Sequence, residues 1–94
     1  MHKGSSFDKF AKHHPPSYEG GTEPLVAENW LMNIEELMQV LECTNDKTIR
    51  YATYQLKGEA KRWWQAKKEL LEIEWTLEQF KKEFLDRYFL EMIR

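Results

Sequence analysis

From Pro24 onward, large apolar side chains recur three and four positions apart in four successive stretches, and no stretch shows the strict alternation of a half-buried strand. That periodicity restricts the chain to packed amphipathic helices. The first is expected over about residues 24–42, with Ala27, Trp30, Leu31, Ile34, Leu37, Met38 and Leu41 on one face. Pro24 suits its first turn, where amides lack intrahelical acceptors, and Thr22 is the expected cap. The second, over about 46–57, takes its cap from Thr44, Asn45 or Asp46 and buries Ile49, Ala52 and Leu56. Gly58 is placed to stop it in a left-handed conformation.

A third helix, over about 59–71, carries Ala60, Trp63, Trp64, Ala66, Leu70 and Leu71. Thr76-Leu77-Glu78-Gln79 is a capping box, flanked by Trp75 and Phe80 as a hydrophobic staple. The fourth helix, over about 77–92, turns Phe80, Phe84 and Tyr88 inward. Its Glu78–Lys82 and Glu83–Arg87 pairs stand at the favourable four-residue spacing. Residues 1–21 read as an extended arm, because Pro15, Pro16, Gly20 and Gly21 break helices and His14, preceding proline, is biased to extended backbone. Phe7, Phe10 and Tyr18 give that arm apolar side chains with which to dock. Residues 1–6 read as an expression scar or a flexible native start and carry no argument. The expected fold is all-α: a compact bundle of four to five short helices over residues 22–94, with the arm laid against it.

The 94 residues suffice for one core, which excludes an enzyme with separate cofactor and substrate lobes. Every serine and histidine lies in the arm, while Cys43 stands at a helix end, so no nucleophile–base pair is scaffolded. Adjacent His13 and His14 on extended backbone point apart and lack a third ligand. Gly20-Gly21 lacks the spacing of a phosphate-binding loop. We therefore expect no enzymatic activity, metal or cofactor. With no run of 18 apolar residues, the chain is expected not to engage a membrane. One cysteine suits a reducing, intracellular and cytoplasmic setting.

Nucleic acid has one weak claim. Lys61, Arg62, Lys67 and Lys68 interleave with Trp63 and Trp64, rings able to stack on bases. Glu59 and Glu69 dilute the run, and the net charge of -2 supplies no attracting field. Buried rings surrounded by solvated lysines is the stronger reading.

Taken in order, Pro15-Pro16-Ser17-Tyr18-Glu19-Gly20, Glu23-Pro24 with Ala27, Trp30-Leu31, Ile34-Glu35, Ala52-Thr53-Tyr54-Gln55-Leu56-Lys57-Gly58-Glu59-Ala60, Trp63-Trp64, Trp75-Thr76, Phe80-Lys81, Phe84 and Arg87-Tyr88-Phe89 form one pattern. It resembles the gag capsid domain of gypsy-type LTR retrotransposons from about Phe7 to the chain's end. The signature positions are Pro16, Tyr18, Gly20, Trp30, Leu31, Leu56, Gly58, Ala60, Trp63, Trp64, Trp75, Phe80, Phe84 and Tyr88. Leu90 stands where the family commonly has proline, a departure that lengthens the last helix.

The resemblance implies a retroviral-capsid-like N-terminal lobe that self-assembles with other gag copies into a shell around the element's RNA. A second lobe, a zinc knuckle and a protease motif are missing from the sequence, so RNA capture is expected to fall to other segments. The alternative is a host-adopted lobe that binds extended hydrophobic peptides beside the arm, with Phe7, Phe10 and Tyr18 as the clamp.

Overall fold

Why the longest helix starts where it does follows from Pro24. Proline at the first helical position forces the preceding residue into extended backbone, so Glu23, with φ -99° and ψ 102°, becomes the cap in place of the expected Thr22. The Glu23 carbonyl accepts from the amides of Val26 and Ala27 at 3.1 and 3.4 Å. The computed structural model describes residues 6–91, in which this helix is the second element. Residues 1–5 of the expected scar, and the predicted helix end at Met92, lie outside the described residues.

The chain runs through α1 (Ser6–Lys12), α2 (Pro24–Val40), α3 (Asn45–Tyr54), α4 (Gly58–Leu71) and α5 (Leu77–Leu85), then a π-helical segment, Asp86–Leu90. It is an all-α bundle. The expectation of an extended arm fails over α1. Ser6-Phe7-Asp8-Lys9-Phe10-Ala11-Lys12 contains no breaker, and Phe7 and Phe10 share a face that docks on Tyr51 at 5.5 and 5.3 Å between ring centroids. His14 closes α1 with a positive φ of 49°, its amide donating to the Ala11 carbonyl at 3.0 Å. The helix end thus overrides the extended bias imposed by Pro15.

α2 stops in a Schellman turn built on a glutamate. Glu42 takes φ 55°, its amide donates to the Gln39 carbonyl, and the Cys43 amide donates to the Met38 carbonyl, both at 3.0 Å. Thr44 then caps α3, its hydroxyl accepting from the Lys47 amide at 3.2 Å. α3 ends at Tyr54 rather than running through Leu56. The main chain around Leu56 pairs instead with the arm in a parallel bridge, Tyr18 N–H donating to Gln55 O at 3.0 Å and Lys57 N–H to Tyr18 O at 2.8 Å. Gly58 is left-handed as expected, at φ 50°, but it opens α4 instead of closing α3.

The predicted capping box of α5 is present. The Thr76 hydroxyl accepts from the Gln79 amide at 3.1 Å, and the Gln79 side chain accepts from the Thr76 amide at 3.2 Å. Trp75 and Phe80 both pack on Trp64, at 4.9 and 5.2 Å. The single helix expected to follow is interrupted, because Asp86–Leu90 widens to i→i+5 bonding and the Glu91 amide reaches the Asp86 carbonyl. That wide turn changes the pairing as well. Glu83 reaches Lys67 at 3.1 Å, while Arg87 reaches Glu59 at 2.9 Å and Glu91 at 3.6 Å, in place of the expected Glu83–Arg87 pair.

The core gathers Phe10, Tyr18, Ala27, Trp30, Leu31, Ile34, Met38, Ile49, Ala52, Leu56, Ala60, Trp64, Phe80, Phe84 and Tyr88. Each large side chain there contributes roughly 1.5 to 3 kcal/mol by leaving water. Trp63 and Trp75, expected inside, are half-buried against its edge.

Candidate functional site

Two surfaces stand out once the arm is placed. The arm is held by its carbonyls as well as its rings. The Trp30 indole N–H donates to the Pro16 carbonyl at 2.9 Å, and the Gln55 amide nitrogen donates to the carbonyls of Pro15 and Pro16 at 2.9 and 3.3 Å. Tyr18 follows directly and packs against Trp30, Phe84 and Tyr88 at 5.7, 5.4 and 5.1 Å. Gly20 then passes so close to Glu59 that a Cβ there would collide with the carboxylate.

Glu59 is the polar centre of this clasp. Its Oε2 accepts from Arg87 Nη2 at 2.9 Å and from the Tyr88 hydroxyl at 2.8 Å. Burial pushes the Glu59 carboxyl up, but the hydrogen bonds from Arg87 and Tyr88, with the charges of Arg87 and Arg62, outweigh it and hold the group below its ordinary value. Burial, then the Glu59 charge, push the Tyr18 hydroxyl up to about 12, and burial also raises Tyr88. These groups hold the loop at Gly20 against the first turn of α4.

The first surface is a groove of about 350 Å³ between α1, α3 and α4. Phe7, Tyr51, Tyr54 and Trp64 supply its rings, Arg50, Lys61 and Lys68 its charge, and among the described residues no carboxylate lines it. Lys61 lies 5.6 Å from the Tyr54 ring centroid and Lys68 5.7 Å from that of Trp64, so the cations cover aromatic faces. Of the three arm residues proposed as a clamp, Phe7 lines this groove, whereas Phe10 and Tyr18 are consumed by the core.

The basic run read from the sequence is divided by the fold. Lys61 and Lys68 reach the groove, Lys67 is tied to Glu83, and Arg62 lends its charge to Glu59. Arg50, Tyr51 and Tyr54 were not singled out from the sequence as site residues. Arg50 and Tyr54 stand one turn apart on α3, a spacing visible in the sequence, but their meeting with α4 is not.

The second surface is the outer face of α2. Leu25, Val26, Met32 and Val40 are each more than half exposed. At 100° per residue they fall within an arc of about 120°, together with Asn29, Asn33 and Glu36. An apolar stripe of this kind on the longest helix suits contact with protein.

Among the described residues, no cluster of three or more His, Cys, Asp or Glu could hold a metal ion, and no helix is long and apolar enough to cross a membrane. Residues 12–89 match the family model described as the retrotransposon-derived protein PEG10, N-terminal capsid-like domain. No curated protein and no solved structure matches the chain.

Proposed function

The chain belongs to the family of the PEG10 N-terminal capsid-like domain, a retrotransposon gag-derived and structural family, and on that premise we propose that it is an assembly subunit of a gypsy-type LTR element's shell. Copies associate through protein surfaces, the element's RNA being captured by other segments of the polyprotein. The setting is the cell interior, where Cys43 stays a thiol.

The observation that carries this reading is the α2 stripe. Four apolar side chains left outside the core along one helix are a poor arrangement for a solitary domain and a suitable one for a repeated contact. Each contact is small, and many copies multiply it. The peptide-clamp alternative draws less support, since Phe10 and Tyr18 are in the core and the backbone edge beside Tyr18 is already paired with Leu56.

Light scattering over a wide range of protein concentrations tests the reading. The mean molar mass should rise with concentration for the natural chain. It should remain that of a monomer for Leu25→Glu/Met32→Glu, whose circular dichroism should be unchanged because both positions are exposed. A natural chain that stays monomeric throughout would overturn the proposal.

A further inference from the structure

The groove and the segment that spans the last turn of α4 and the loop after it have complementary chemistry. Glu69-Leu70-Leu71-Glu72-Ile73-Glu74 is exposed at all six positions, Leu70 by 76% and Leu71 and Ile73 by about two-fifths each. Three apolar side chains there are interspersed with three carboxylates. The groove presents rings together with the three cations Arg50, Lys61 and Lys68, and no carboxylate among the described residues.

The segment does not fill the groove of its own chain. Glu72 turns it out of α4 in a left-handed conformation at φ 43°, its amide held by the Lys68 carbonyl at 3.1 Å. At the other end Trp75 is pinned on Trp64 and Thr76 begins the capping box. Tied at both ends, it stands in solvent as an acidic and apolar ridge.

We propose that the Glu69–Glu74 ridge of one copy seats in the Phe7/Tyr54/Trp64 groove of a second copy. Leucine and isoleucine side chains meet the rings, while glutamates meet Arg50, Lys61 and Lys68. The inference rests on the assembly reading and adds to it a second contact, distinct from the α2 stripe. On a chain of net charge -2, copies repel weakly overall, so a local cationic site is what orients the encounter. The contact should therefore weaken with added salt.

Charge inversion and its complementation test the pairing on the whole chain. Arg50→Glu/Lys68→Glu inverts the groove, and Glu69→Lys/Glu74→Lys inverts the ridge; all four residues are exposed, so circular dichroism should report an unchanged fold. By sedimentation equilibrium each variant alone should associate at least about tenfold more weakly than the natural chain, as like charges then oppose one another. An equimolar mixture of the two should recover association.

Natural association with both variants indifferent would overturn the ridge-in-groove contact and leave the α2 reading standing. Weakened variants that fail to complement would likewise overturn it. A natural chain that never associates would remove both. If a single-stranded RNA oligonucleotide binds the natural chain and not the groove variant, the groove belongs to nucleic acid and the proposal falls.

Discussion

The Tyr88 hydroxyl donates to Glu59 Oε2 at 2.8 Å, joining the π-helical segment to the first turn of α4 directly beside Gly20. Arg87 donates to the same oxygen at 2.9 Å. The wide turn of Asp86–Leu90 is what lets consecutive residues serve one carboxylate, while Tyr88 keeps its ring 5.2 Å from Phe84 in the core. One carboxylate therefore ties the π-helical segment to α4 at the point where the arm passes.

Two glycines with left-handed backbone should respond very differently to alanine. At Gly20, φ is 101° and the added Cβ would strike the Glu59 carboxylate, so strain and disturbed hydrogen bonds combine. Gly20→Ala should cost roughly 3 kcal/mol. At Gly58, φ is 50° and the nearest atom, Glu19 O, would lie 3.6 Å away, leaving the conformational penalty alone. Gly58→Ala should cost roughly 1 kcal/mol. Urea denaturation of both checks the order; equal costs would place Glu59 elsewhere.

Removing the indole donor should loosen the arm without emptying the core. Trp30→Phe retains a ring near Tyr18 and Phe84 but abandons the Pro16 carbonyl. A stability loss of about 1 to 2 kcal/mol is expected, part lost hydrogen bond and part lost ring volume. Hydrogen exchange should quicken at the Tyr18 and Lys57 amides, which bridge arm and bundle, before it quickens in α2. Uniform acceleration would mean that the arm is not a separable unit.

Features decided within a few residues were legible in the sequence. Thr76 with Gln79, and Pro24 at a helix start, depend only on neighbours, and the buried faces of α2 and α5 follow from spacing. The cap of α2 went to Glu23 because the proline's backbone constraint outranks the hydroxyl of Thr22. α1 was hidden because a helix of seven residues is not stable alone and needs Tyr51 to dock on. Leu56 leaves α3 to bridge Tyr18, a partner too remote in sequence for spacing to reveal. The groove was illegible for the same reason, since Arg50 and Lys68 share it only after α3 and α4 pack. The π-helical turn has no local signature in Asp86–Leu90.

Trp63 and Phe84 separate edge from centre. Both look like core positions by spacing, yet Phe84 is wholly buried and meets Tyr18, Trp30, Trp63, Phe80 and Tyr88, while Trp63 is half-buried beside Phe84 and Tyr88. Phe84→Ala should cost about 3 to 5 kcal/mol and unfold much of the population. Trp63→Ala should cost roughly half as much, because part of its ring is already wet. Equal urea midpoints for the two variants would contradict this placement.

Stability should have an acid limb and an alkaline limb, and Glu59 bears on both. Its carboxyl titrates below the ordinary 4.5 in the folded chain, so the stabilisation is complete above that value and is lost as pH falls through the folded pKa. With 41% of the Glu59 side chain exposed, water screening keeps this limb shallow. Tyr18 is raised from 10.0 to about 12, and Tyr88 is raised too. Their contribution is complete below the unfolded value of 10.0 and is lost as pH climbs toward about 12. After burial, Glu59 is a cause of both tyrosine shifts, through its charge at Tyr18 and through a hydrogen bond and then its charge at Tyr88. Glu59→Gln should therefore flatten the acid limb and also make the alkaline limb shallower, because both hydroxyls fall back toward their ordinary value. Urea midpoints across the pH range, with tyrosinate absorbance followed in parallel, read both limbs. An alkaline limb unchanged in Glu59→Gln would mean that burial alone raises the tyrosines, and that the carboxylate beneath the arm acts on Arg87 only.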